Sequence, residues 1–421
     1  MKGQGRRLRS LAGLAIVVLL VLVAHGALPS QARGAAASVP AAADGNAAVN
    51  TPDEVAWGLF LRVVAESKSA GNNDAFFETW ASDNDTFRAR PHWPADHESV
   101  SLAARTLLFV HDTLLARRQP GGAPAGQRHS HNIIEETRHN RAAFDFIVTN
   151  NLYKVSGLRA AYDKPVTFPS DAIEVKADWA PVRDPQHPEK SGIPGYDGDP
   201  ANAATLYHVN TARGGKAYAL VGLHVISKLI PNWTWATFEH ENNPQRCDVL
   251  GCADLFGAQT PLVPANATSN AGYGACAKSP ALLALLSAAK IDPAFAHYCL
   301  KGTQTDLADT SGLATRLGNS MIEEGFVEQS SCMTCHARAA FDKNGLATSN
   351  GGFDSTGNAP IGAIDPAWFW YAEPLHTGTP PTVSAPVRVA QSADFVWSIA
   401  YCAIDDTTTP PQTVSKNCRN K

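Results

Sequence analysis

The sequence predicts an α+β protein, mostly α-helical with a small antiparallel β-sheet. Two patterns carry that expectation. Apolar residues recur at helical spacing in several separate stretches, whereas strand-like alternation is confined to residues 173–179 and to two adjacent runs, 216–228 and 232–240. With 44% of the chain hydrophobic and 18% charged, there is enough apolar material for a packed core.

The chain opens on a basic segment, MKGQGRRLRS, followed by the apolar run 11–28 and by small residues at Ser30-Gln31-Ala32 and Ala24-His25-Gly26. This is the order of an export signal, expected over residues 1–32, with an uncleaved membrane anchor as the alternative. No later run is long and apolar enough to span a bilayer. Removing 1–32 takes away Lys2, Arg6, Arg7 and Arg9 and no acid, so the net charge falls from -4 to about -8. An acidic chain suits a basic redox partner better than a polyphosphate, so no nucleic-acid partner is expected.

The Ala-rich stretch 33–50 has no pattern to bury and reads as a leader. Thr51-Pro52-Asp53 is a helix start, with Thr51 as N-cap and Ala56, Phe60, Val63 and Val64 on one face. Further helices are expected at 101–117, 133–152 (Ile134, Phe144, Ile147, Val148), 280–290, 316–329 and 391–403. IEVKADW (173–179) is expected as a strand, and 216–228 with 232–240 as a hairpin. On its first strand Tyr218, Leu220, Gly222, His224 and Ile226 share a face. On its second, Trp233, Trp235, Thr237 and Glu239 share one face, and Ala236, Phe238 and His240 the other.

Cys332-Met333-Thr334-Cys335-His336 fits C-x-x-C-H, the attachment signature of c-type haem. Two thiols nearly one helical turn apart lie on one side and add to the two haem vinyl groups, and the next residue offers an imidazole to the iron. A redox dithiol and half of a zinc site are the bland alternatives. The first wants a βαβ setting and the second another ligand pair, which Cys247 and Cys252 could supply. The six other cysteines are expected as disulfides by proximity in sequence: Cys247–Cys252, Cys276–Cys299 and Cys402–Cys418.

The sixth iron ligand stays open. No Met follows Met333, and Met321 precedes the motif and reads first as a packing residue. Among the histidines the order of preference is His240, His224, then His376. His111 lies on an apolar helix face, and an open sixth position is a further alternative. Trp233, Trp235 and Phe238 read as the packed core of the hairpin, with flanking of a haem plane as the rival role.

The segments IEVKADW, LVGLHVISKLIPNWTWATFEHENN and SSCMTCHARA, with ETRHNRAAFDFIVTNNLY and DFVWSIAY, resemble a family of bacterial exported single-haem cytochrome c-like proteins. The resemblance covers about 135–400. It implies one haem and export but no assigned reaction.

The organisation expected is therefore a signal (1–32), a leader (33–50), a scaffold of helices and a β-hairpin (51–310) and a haem-attachment region (311–421), the last two in one compact unit. The function expected is periplasmic electron transfer by one covalent haem c with a redox partner protein. The alternative is a haem-dependent redox enzyme, peroxidase- or oxidase-like or coupled to a dehydrogenase. In it the larger N-terminal part builds a substrate pocket, and Glu239 or His240 acts as proton donor.

Overall fold

The computed structural model describes residues 45–67, 74–94, 133–212, 215–247, 250–260, 276–323, 326–348, 361–371 and 385–413. Their dominant element is a seven-stranded antiparallel sheet: β1 (Ala81–Ser82), β2 (Ile134–His139), β3 (Ile173–Pro181), β4 (Val209–Thr211), β5 (Ala217–Ser227), β6 (Thr234–His240) and β7 (Tyr298–Gln304). The order is β1-β2-β3-β5-β6-β7, with β4 also pairing to β5. This corrects the expectation of a mostly helical protein with a small sheet. The regions expected at 51–310 and 311–421 both fall within the unit Ala35–Lys421.

The excess of strand has identifiable sources. Residues expected to open a helix at 133–152 divide instead. Ile134–His139 is β2, paired from Ile134↔Trp179 to His139↔Glu174, and only Arg141–Thr149 is helical, with the Asn140 side chain accepting from Ala143 N. Pairing and burial override the helix propensity of Glu135-Glu136-Thr137-Arg138. Over its described residues the expected helix 316–329 is absent: Leu317 bridges to Ser331, turns follow at 320–322, and one short 3-10 turn forms at Val327–Gln329. Here Asn319 Oδ1 caps Met321 N at 2.8 Å, and a Cβ on Gly318 would come within 2.7 Å of Ser330 Cβ. The last expected helix shortens to Trp397–Cys402, preceded by β11 (Gln391–Ser392), which pairs with β8 (Ala340–Phe341). The helix expected at 101–117 lies outside the described residues.

Other expectations hold. Helices form at Pro52–Val63 and Pro280–Ala288, and β5 and β6 make the hairpin. Thr51 does not cap by its side chain; its hydroxyl donates to Ala47 O at 3.2 Å.

The two faces of the sheet differ in chemistry. One is apolar: Val175, Ala177, Leu223, Val225, Ala236, Phe238 and Leu300 pack under helix Pro52–Val63, where Phe60 lies 4.4 Å and Trp57 5.0 Å from Phe238, ring to ring. On the other, register lines up Thr137, Lys176, His224 and Thr237 in one row, and Glu135, Asp178, Gly222 and Glu239 in the next. Leu220 does not share the face of His224 as expected. The register shifts between Asp178 and Trp179, Val221 goes unpaired, and Leu220 turns into the apolar core.

No helix among the described residues is long and apolar enough to cross a membrane.

Candidate functional site

The polar face of the sheet is covered by the segment that carries the C-x-x-C-H pentapeptide. Cys332–Ala337 is one short helix. Its start is fixed by Ser331, whose hydroxyl oxygen accepts from Thr334 N at 3.3 Å, and by Gln304 at the end of β7. Gln304 Nε2 donates to Ser331 Oγ at 2.8 Å, and Gln304 Oε1 accepts from Met333 N at 3.0 Å. Met333 is buried in the second core with Ile399 and Phe341.

His336 Nδ1 is 2.9 Å from the carbonyl oxygen of Phe395. A carbonyl only accepts, so Nδ1 carries the proton and Nε2 keeps its lone pair, the tautomer a metal-binding imidazole needs. The ring lies 4.5 Å from that of Trp235, tilted by 50°. Burial, aided by the charge of Lys176, lowers its pKa to about 4 against the hydrogen bond that Nδ1 donates to the Phe395 carbonyl, so the ring is neutral at physiological pH.

Neither Cys332 nor Cys335 is joined in a disulfide. Cys332 Sγ lies 3.4 Å from Leu317 O and also meets the hydroxyl of Thr237. Burial raises both thiols, Cys332 strongly and Cys335 to about 11. A redox dithiol needs the opposite shift, because the thiolate is the nucleophile. The zinc reading also loses its second ligand pair. Cys247 and Cys252 are joined as a disulfide, as are Cys276 and Cys299. No group of three or more His, Cys, Asp or Glu side chains that could hold a metal occurs among the described residues. Cys402 is disulfide-bonded, and its expected partner Cys418 lies outside them.

Beneath the motif lies a set of buried charges that composition alone does not reveal. Lys301 Nζ meets Glu239 Oε1 at 3.1 Å, and Ser320 donates to Glu239 through both its backbone N–H and its hydroxyl. Lys176 Nζ meets Glu135 Oε2 at 2.8 Å. Asp178 is fully buried, and neither carboxyl oxygen has a hydrogen-bond partner. Burial and then the charge of Glu135 hold its pKa well above the ordinary carboxylate value. Burial likewise lifts Glu323 to about 7, against Lys176 and the N–H of Asn319. Gly222 makes room for this cover: a Cβ there would come within 2.7 Å of Asn319 Nδ2. Glu239 was legible as a candidate from its strand position, whereas Lys176, Asp178, Lys301 and Glu323 come from three further segments and become neighbours only by folding.

The candidate sixth ligands separate clearly. His240, preferred from sequence, lies on the opposite face of β6. Its Nε2 is 3.1 Å from Leu206 O, its Nδ1 accepts from Asn242 N at 3.2 Å, and its ring stacks on Tyr207 at 3.6 Å. Both nitrogens are used. Met321 packs in a third core with Val221, Ile133 and Tyr207. His111 and His376 lie outside the described residues. His224 sits on the motif's side of the sheet, with Nδ1 2.9 Å from Thr237 Oγ1 and a buried Nε2 that has no hydrogen-bond partner. The aromatic trio divides too. Phe238 packs in the apolar core and Trp233 against Phe168 at 5.5 Å, and only Trp235 reaches the motif.

No family model, curated protein or solved structure matches this chain.

Proposed function

We propose that this chain is an exported, single-haem c-type cytochrome that transfers electrons to or from a redox partner protein. The observation that carries the reading is the pairing of His336 Nδ1 with the Phe395 carbonyl at 2.9 Å, on the same short helix as Cys332 and Cys335. Cys332 and Cys335 would hold the haem by thioether bonds and His336 Nε2 would hold its iron. Bound there, haem supplies a one-electron ferric/ferrous couple. The chain's own residues do the rest. The Phe395 carbonyl fixes the imidazole's tautomer and raises its basicity. Trp235, Met333 and the sheet would shield the site from water. The basic, then apolar N-terminal segment supports export, and the acidic mature charge supports a basic partner.

The test is maturation in a host with haem-ligation machinery. The expected product carries added porphyrin mass and stains for haem on a denaturing gel, and Cys332→Ala with Cys335→Ala abolishes both. A colourless protein of unmodified mass sinks the reading.

A second reading, a haem-dependent redox enzyme, is favoured by one observation: the buried carboxyl of Asp178, which has no hydrogen-bond partner and which burial biases toward the protonated form, beside Glu239 and Glu323. A buried proton source serves bond-breaking chemistry rather than simple electron relay. Rapid binding of carbon monoxide by the reduced protein supports this reading. A low-spin protein indifferent to it supports the carrier.

A further inference from the structure

The geometry points to His224 Nε2 as the second axial ligand of the haem iron, opposite His336. This rests on the haem reading above and adds the coordination state to it.

The first ground is an orphaned atom. His224 is buried on β5, and its Nε2 has no hydrogen-bond partner. The nearest carboxyl oxygen, Glu323 Oε1, is 3.7 Å away, beyond hydrogen-bonding distance. A buried nitrogen left unsatisfied costs the fold its full desolvation penalty. Folded proteins keep few of them, and a missing ion or ligand is one of the standing explanations.

The second is the tautomer. The Thr237 hydroxyl oxygen lies 2.9 Å from His224 Nδ1 and can accept its proton. In that tautomer the lone pair is left on Nε2. His336 is built the same way, with Nδ1–H tied to the Phe395 carbonyl. Two imidazoles whose Nδ1 protons are both pinned, each with Nε2 presented, match the outer-shell pattern of metal-ligating histidines.

The third is position. His336 lies against Trp235 and His224 against Thr237, two residues apart on one face of β6, a rise of roughly 7 Å. Every other histidine described near the sheet is committed elsewhere. His139 and His208 each lie between two carboxylates, His297 pairs with Glu241, and His240 uses both nitrogens.

The experiment is spectroscopic and uses the full chain carrying its haem. The ferric wild type is expected to be low-spin, with the near-infrared charge-transfer band and electron paramagnetic resonance of a His/His pair, and its reduced form to bind no carbon monoxide. His224→Ala should keep haem on a denaturing gel, turn high-spin and bind carbon monoxide stoichiometrically when reduced. Added imidazole should restore the low-spin spectrum. His224→Gln serves if the alanine variant does not fold, and the wild-type spectra read the axial pair without any variant. A His/Met or high-spin wild type, or an unchanged low-spin spectrum in either variant, overturns the proposal while leaving covalent haem standing. Absence of covalent haem overturns both.

Discussion

The imidazole of His336 is held by the carbonyl of a residue in a left-handed backbone conformation: Phe395 has φ 72°, and Asp394 before it φ 50°. Two consecutive non-glycine residues of this kind cost on the order of 1–3 kcal/mol each unless the surroundings enforce them. Asp394 is the enforcer. Its Oδ1 meets Lys228 Nζ at 2.5 Å, and its Oδ2 accepts from Phe168 N at 2.7 Å. Asp394→Ala is therefore expected to lower stability by roughly 3–5 kcal/mol, the cost of breaking a buried ion pair. It should also loosen the Phe395 carbonyl, make His336 less basic and raise the reduction midpoint. Spectroelectrochemical titration checks the second effect, and an unchanged midpoint in a folded, haem-bearing variant rejects the positioning role.

The Glu239–Lys301 pair lies under the motif with almost no exposure to solvent. Lys301→Met leaves the Glu239 carboxylate with only its neutral partners, Ser320 and Asn243, and is expected to cost roughly 3–5 kcal/mol. Adding Glu239→Gln removes the uncompensated charge and should recover much of that loss. Urea denaturation of the two single variants and the double variant measures the coupling. Simple additivity would show that the two side chains do not act as a pair.

These two relationships also show how far the sequence could be read. The C-x-x-C-H run, the β5–β6 hairpin and the alternation along β6 are local patterns, and the structure keeps all of them. So are the Cys247–Cys252 and Cys276–Cys299 pairings, whose partners lie 5 and 23 residues apart. What was misread depends on distant partners. Residues 134–139 carry helix-forming side chains and become a strand because β3 offers them a register. His240, first among the candidate histidines, sits on the face of β6 opposite Glu239 as alternation implies, and only the fold supplies its partners there, Tyr207 and Leu206. The buried charges are individually ordinary in sequence and meaningful only once β2, β3, β6, β7 and the turn before the motif are stacked together.

The Cys276–Cys299 disulfide ties the end of a segment outside the described residues to the start of β7, the strand whose far end, Gln304, holds the motif helix. Closing 23 residues of sequence separation is worth about 3 kcal/mol in the chain-entropy picture. Cys276→Ala with Cys299→Ala should lower the denaturation midpoint accordingly. On the proposed haem reading, covalent attachment should be kept, because Cys332 and Cys335 take no part in the bond. Loss of haem in this variant would mean that β7 must be clamped before attachment can occur.

Two buried histidines make the fold sensitive to alkali. His208 lies 3.0 Å from Glu78 and 2.8 Å from Asp292, and His139 lies 2.7 Å from Asp83 and 2.9 Å from Glu174. Burial alone would lower both pKa values, but the paired carboxylates outweigh it and raise His208 to about 9 and His139 to about 10. With the folded values above the unfolded value of about 6.5, the stabilisation is fully present below pH 6.5. It declines as pH rises, and is gone once His208 passes about 9 and His139 about 10. Each site is worth on the order of a few kcal/mol. The melting temperature should therefore fall steadily between pH 7 and 10. His208→Gln should start lower at pH 7 and lose less across pH 7–9, since its neutral amide cannot give up a proton there. Parallel pH profiles for variant and wild type would show that the charge on His208 contributes nothing to holding Glu78 and Asp292 together.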